Sequence, residues 1–471
     1  MSSHTPLYKG MFVLFIIITL VWLTHLLNVP FHEDEAIYAA WSLALLRGDV
    51  WLSQTLIDKP PLTFYPMALS IRLFGRYEWA ARLPNLCWAA LLLISCSRMA
   101  KHYGASGRLV VFLMLLSPLL WAQAASAFTD LAMVALVCLA MERAIKREAQ
   151  QAGAAFGLAC LAKPTALLLA PLFITTLFIH HSSKTSDVVR TKETSQLVTT
   201  FRDMLMVCAA PVFLAWAWDA SRSAPSWWVL GAQAYGTFGK LDVEQVEAWL
   251  YIFLFSLGPL LLAGLIIFLS QWVTGVTSIC VRLPRQPIQL ALAATLVLWV
   301  PVHLLLGFQP WERYLLPLVP SMALFFALYY ARISQNAKNE AHWPHFFDGN
   351  NNYITLTFGC ALLCVPFLIE PLQLEPHDAR WEGIREIGAI IEMLPREATV
   401  YYFETGRPLA WYAANTKADL IWAESNPYFH PSQANQPSYL VTRLTRSLPA
   451  TLTNWSPISQ SGHFRIIKIN P

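Results

Sequence analysis

The chain has 471 residues, 56% of them hydrophobic and only 13% charged, against about 25% charged in an ordinary soluble domain. That balance excludes a soluble globular protein of this length and puts most of the chain in lipid. The net charge of +4 is spread among loops and gives no support for a nucleic-acid partner. All eight cysteines fall in apolar segments, which argues against a disulfide framework and a thiolate zinc site; they read as small buried hydrophobes.

A membrane helix needs about 20 apolar residues. Apolar runs near 10–30, 79–99, 108–125, 129–145, 152–162, 163–181, 204–220, 249–271, 288–307, 314–331 and 353–371 predict a polytopic α-helical membrane protein with about eleven transmembrane helices. No small-residue cleavage site follows the first run, so it reads as a retained span. The fifth is short, and with the sixth it predicts a broken or tilted pair around Lys163-Pro164. Cations concentrate in alternate loops: Arg98/Lys101/Arg108, Arg143/Lys146/Arg147, Lys184/Arg190/Lys192/Arg202, Arg282/Arg285 and Arg332/Lys338. The positive-inside rule makes those loops cytoplasmic. The first loop (31–78), the loop at 221–248 and the tail from about 372 then face outward, into the periplasm or exterior if the membrane is a bacterial inner membrane.

The first loop opens with "NVPFHEDEAIYAAW" (28–41), three acids in succession at a membrane mouth. In a helix starting near Glu33, Asp34 shares a face with Tyr38 and Trp41, while Glu35 lies about 100° round with Ala39. The two neighbours therefore cannot aim at one target: one is placed for chemistry and the other supports it or is solvated. Acids in a first turn also favour the helix dipole. Farther on, Asp58-Lys59-Pro60-Pro61 forms a corner stiffened by two prolines that presents one acid and one cation. A lysine at a membrane mouth can also simply snorkel.

The tail changes character. "RWEGIREIGAIIEML" sets Trp381, Ile384, Ile387, Ile391 and Leu394 at helical spacing. "ATVYYFE", "DLIWA", "SYLVTRL" and "FRIIKIN" read as short strands. The expected organisation is a transmembrane domain, 1–371, and a small α/β extracytoplasmic C-terminal domain, 372–471.

The ordered set "DEAIY" (34–38), "DKPPL" (58–62), "LFGRYEWAARLP" (73–84), "FTDLAM" (128–133), "LACLAKPTALLLAPL" (158–172) and "WERYLLPLVPSMALFFA" (311–327) resembles the GT-C membrane glycosyltransferases. The branch is that of the protein O-mannosyltransferase-like enzymes and the lipid A aminoarabinose transferases. The resemblance covers about residues 10–331. It implies an inverting transferase that moves a sugar from a polyprenyl-phosphate (undecaprenyl-phosphate-type) donor to a lipid, glycan or protein acceptor at the outer face of the membrane. Asp34 matches the family's catalytic aspartate and Asp130 its second loop acid. Lys59 matches the lysine associated with the donor phosphate, and Tyr314 a tyrosine near it. Two positions depart from the lipid A branch: Asp58 stands where a glutamate that can bind a divalent metal is usual, and Leu56 where a tyrosine is usual. No cofactor is required by this reading, and a divalent ion at Asp58 and Asp130 stays open.

Breaking a sugar–phosphate bond puts charge on the departing phosphate, which a fixed cation stabilises; Lys59 and Arg313 sit at predicted outer mouths. One ionised carboxylate suffices to take the acceptor's proton, so Asp130 reads as positioning acceptor, metal or cation, with Glu35, Tyr38 and Lys163 in support. Competing readings stand beside each of these. Thr129-Asp130 can cap the fourth span, Lys163 can be a counterion or a snorkelling end, and Arg313 can pair with its neighbour Glu312 in solvent. His32 and His303 read as structural histidines, and the Trp-rich "SAPSWWVLGAQAYG" as interfacial belt or the donor entrance. The rival class is a lipid or glycolipid transporter or flippase without catalysis, whose ionisable residues would sit near the midplane.

Overall fold

The computed structural model describes residues 21, 23–181, 190–234, 243–273, 286–338, 374, 379–423, 436–448, 452 and 454–469. The predicted span near 353–371, most of the run near 10–30, and Lys184, Arg282 and Arg285 lie outside the described residues.

The first loop folds into two helices, α1 (Glu33–Leu46) and α2 (Phe64–Phe74). The start of α1 follows from its sequence. His32 Nδ1 accepts from the Asp34 amide at 3.2 Å, and the Glu35 carboxylate accepts from the His32 amide at 3.1 Å. This reciprocal cap satisfies two otherwise orphaned donors.

α3 (Glu78–His102) is long enough to cross a membrane. The run near 108–125 is not one straight helix: α4 (Gly107–Leu115) and α5 (Pro118–Ala124) meet at 81°. Ser117 caps α5 and Pro118 starts it, a pairing that begins a new helix rather than continuing the old one. α6 (Asp130–Ile145) and α7 (Ala149–Ala162) are 16 and 14 residues long, short for an upright crossing. The expected break at Lys163-Pro164 is present. Pro164 disfavours helical geometry at the residue before it; Lys163 is extended (φ −159°, ψ 127°), and a 3-10 turn over Pro164–Leu169 leads into α8 (Ala170–His181). Then come α9 (Arg190–Ala220), α10 (Trp227–Ala234), α11 (Val243–Val273), α12 (Pro287–Leu305), a 3-10 turn (Glu312–Leu315) and α13 (Leu318–Lys338).

Among the described residues five helices are long and apolar enough to span a membrane, or up to six with the bent pair. Among the described residues helices lie where the apolar runs put them, but α6, α7 and α8 are too short to be counted as spans. α11 and α12 expose Leu262, Ile266, Val297 and Leu298, side chains that belong against lipid. The protein is an integral membrane protein. α7 packs on α9 through Gly153 and Gly157: a methyl on either would overlap the carbonyl oxygen of Met204 or Cys208, the close approach that small residues permit in membranes.

The tail forms α14 (Ile384–Glu392), β1 (Thr399–Tyr402), α15 (Gly406–Tyr412), β2 (Asp419–Trp422), β3 (Ser438–Arg443), β4 (Trp455–Ser461) and β5 (Phe464–Ile469). The sheet order is β2-β1-β3-β5-β4, with β2, β1 and β3 parallel and β5 and β4 antiparallel. β4 was not expected from the sequence: it is an exposed edge strand carrying Pro457 beside a register irregularity, where proline is tolerated. The predicted stripe is buried at Trp381, Ile384, Ile387 and Ile391. It joins Phe31, Trp41 and Phe64 of the first loop and Trp411, Val441 and Phe464 of the tail in one apolar cluster. The C-terminal layer is thus seated on α1 and α2.

Candidate active site

Residues Asp34 and Glu35 point to different partners, as their 100° separation requires. Glu35 is fully buried and forked onto Arg82, with Nε–Oε1 2.9 Å and Nη2–Oε2 2.7 Å. Its Oε1 also accepts from the Ala127 amide at 2.7 Å. Arg82 spends its other donors on the carbonyls of Leu26, Leu27 and Val29. Such a bidentate, fully satisfied pair is rigid. It pins the entry to α1 and the turn before α6 to the first turns of α3.

Asp34 is turned the other way and stays partly exposed. Its Oδ2 accepts from Arg313 Nη2 at 3.0 Å and its Oδ1 from Arg407 Nη1 at 2.5 Å. Burial alone pushes the Asp34 carboxyl up, but Arg313, His32, Arg407 and Lys59 together hold it down at about 2. Burial lowers the His32 imidazole, with the Asp34 charge opposing it, and its Nδ1 caps α1. Arg313 is buried, its guanidinium over Phe128 (4.7 Å) and Trp311 (5.1 Å). The reading of Arg313 as a solvent-exposed pair with Glu312 is therefore corrected.

Lys59 is 9% exposed and pairs with Asp58 at 2.8 Å. Its corner is held from behind. Arg222 donates to the carbonyls of Leu52 (2.8 Å) and Thr55 (2.6 Å), and Asp219 holds Arg222 at 2.8 Å. α10 lies against the same corner: a Cβ on Gly231 would stand 2.8 Å from the Asp58 carbonyl oxygen. The Trp-rich segment so splits, with Trp227 buried in the core shared with the loop and Trp228 58% exposed.

A second cluster lies deeper. Lys163 Nζ meets Asp130 Oδ1 at 2.6 Å and sits 4.4 Å from the Tyr314 ring centroid. Lys163 is a buried counterion, not a snorkelling end, because the Pro164 break turns it inward. Thr129 makes no side-chain cap, and Asp130 begins α6 instead. His303 is structural: its Nδ1 lies 2.8 Å from the Trp299 carbonyl, among Trp249, Trp299 and Tyr314. Tyr38 packs with Trp41 and Phe64 under the loop. Adjacent residues link the clusters, since Arg313 serves Asp34 while Tyr314 covers Lys163.

The structure brings Asp34, Arg313 and Lys59 into one electrostatic field and places Asp130, Lys163 and Tyr314 in another. Arg82, Arg222 and Arg407 were missed as site residues. Arg82 lies inside the quoted "RYEWAARLP"; Arg407 carries no local signal at all. Asp58 already has Lys59, Asp130 has Lys163, and among the described residues no group of three His, Cys, Asp or Glu side chains could hold a metal.

Residues 58–201, which hold Lys59, Asp130 and Lys163, match the family described as dolichyl-phosphate-mannose-protein mannosyltransferase. No curated protein matches the chain in sequence. Among solved structures, ArnT from Cupriavidus metallidurans in the apo state is similar over 98% of both chains, with TM-score 0.66 and 14% identity. The same protein bound to undecaprenyl phosphate is similar over 98% of both chains, with TM-score 0.64 and 16% identity. The fold is the one seen in ArnT. The family match over 58–201 marks a sugar-transferring enzyme, and the likeness of fold runs through both ends of the chain.

Proposed function

We propose that the chain transfers a sugar from a polyprenyl-phosphate donor to a hydroxyl or similar nucleophile of a lipid, glycan or protein, at the outer face of a bacterial inner membrane. The observation that carries this is the Asp34 carboxylate held between Arg313 and Arg407 within the field of Lys59. A polyprenyl phosphate is the donor class because the site combines fixed cations with an apolar bundle, and the similar ArnT binds undecaprenyl phosphate.

The acceptor's nucleophilic oxygen attacks the anomeric carbon from the face opposite the phosphate, and the sugar–phosphate bond breaks with its electron pair leaving on the lipid phosphate. The acceptor's proton passes to Asp34. Lys59 and Arg313 take up the charge growing on the phosphate, already oriented and shielded from water. Arg222 acts through the corner it grips, so it is a positioning residue. Asp130 holds Lys163 beneath Tyr314, which shapes the floor. With one carboxylate as base, no second acid is needed, since phosphate leaves without protonation.

The test is transfer from a polyprenyl-phosphate sugar in detergent, comparing the wild type with Asp34→Asn. A loss of about 10²- to 10⁴-fold is expected for a base. Equal rates would remove Asp34 from the chemistry. An unchanged envelope glycan profile in a deletion strain would favour the transport reading instead.

A further inference from the structure

At the rim opposite Asp34, the end of α3 and the start of α4 enclose a cleft of about 610 Å³, within the size range of small-molecule sites. Its lining joins polar and cationic side chains, Ser97, Lys101, Ser106 and Arg108, to the apolar Phe112 and Leu115. The 25 residues of α3 put roughly 35 Å between this cleft and the Asp34 end, so it cannot be part of the transfer site.

The charges in this region are not all alike. Arg98 and Lys146 share Glu142 at 3.4 and 2.7 Å, and Arg143 pairs with Glu148 at 2.9 Å. Lys101 and Arg108 are exposed, line the cleft, and enter no such ion pair among the described residues. Two uncompensated cations beside an apolar lining, at the level where a membrane helix ends, match an amphiphile with a negative head. A zwitterionic headgroup brings its own cation beside its phosphate and offsets the match, and a free anion would leave the apolar lining bare.

We infer that this cleft binds the headgroup of an anionic glycerophospholipid, its phosphate on Lys101 and Arg108 and its acyl chains along Phe112 and Leu115. The bound lipid ties α3 to α4 at the bend-bearing segment of the bundle. This site is independent of the transfer reaction.

The test is native mass spectrometry of the delipidated full chain, titrated with phosphatidylglycerol or phosphatidylcholine. The wild type retains phosphatidylglycerol preferentially. Lys101→Gln with Arg108→Gln weakens that retention by roughly fivefold per charge, or about 25-fold for both, and leaves phosphatidylcholine unchanged. Thermal melting provides the second measurement: phosphatidylglycerol raises the midpoint of the wild type and not of the double variant, whose lipid-free midpoint matches the wild type. Equal retention of the two lipids by the wild type overturns the inference, as does undiminished phosphatidylglycerol binding by the double variant. Displacement by millimolar inorganic phosphate with no dependence on acyl chains would make the cleft an anion site and not a lipid site.

Discussion

The two carboxylate clusters use the same chemistry, an aspartate against a basic side chain, in opposite surroundings. Asp130 and Lys163 each keep only 4% of their side-chain surface exposed and pair with each other, the Tyr314 ring lying against the lysine. Asp34 keeps 19% and divides itself between Arg313, at 9%, and Arg407, at 51%. A charge buried with one partner cannot exchange it, because an uncompensated charge in low dielectric is far too costly. A partly exposed charge with two partners can trade one for a substrate group at little cost. Rigidity therefore belongs to the deep pair, and adaptability to the rim.

The largest effect is expected at a third pair, Glu35 with Arg82, buried even more fully than the deep one. Replacing Glu35 by Gln strips Arg82 of its counter-charge and costs about 3–5 kcal/mol of stability; a melting midpoint within error of the wild type would show that the pair is not what holds the first loop. Lys163→Met strands Asp130 in the same way and costs a similar amount, and Lys163→Met with Asp130→Leu should recover much of it. A double variant no more stable than the single one would contradict the counterion assignment.

The next effect is read in function, at the buried Arg222–Asp219 support behind the rim. Arg222→Gln releases the Leu52 and Thr55 carbonyls behind Lys59, and is expected to raise the KM for donor about tenfold with a lesser change in kcat. A kcat loss at constant KM would place Arg222 in the chemistry instead. The smallest effect is that of Arg407→Gln, worth at most about 1 kcal/mol because its guanidinium is half exposed. Its pH dependence follows from Asp34, whose carboxyl is held at about 2 against an ordinary 3.8. The stabilisation is complete above pH 3.8 and lost as pH falls through about 2. The melting difference between wild type and Arg407→Gln should thus be flat from pH 7 to 5; a difference that shrinks over that interval would separate Asp34 from Arg407.

Much of the fold could be read from the chain because its signals are local. Apolar runs placed the helices, Lys163-Pro164 announced the break, and the stripe from Trp381 to Ile391 announced α14. The divergence of Asp34 and Glu35 followed from 100° per residue. Other features had no local signal. α15 is only seven residues, "GRPLAWY", and reads as a turn; β4 holds a proline and faces outward. The partners of Asp34 come from 279 and 373 residues away, and Glu35 meets Arg82 across 47.

From sequence alone came the membrane class, the rim position of the acids and cations, and the corner at Lys59. These depend on composition and backbone geometry within a few residues. Only the tertiary structure decided that Glu35 is walled in by Arg82, that Lys163 neutralises Asp130, and that the C-terminal layer lends Arg407 to Asp34. Those are choices of partner, and a charge chooses its partner by distance and dielectric after the helices have packed.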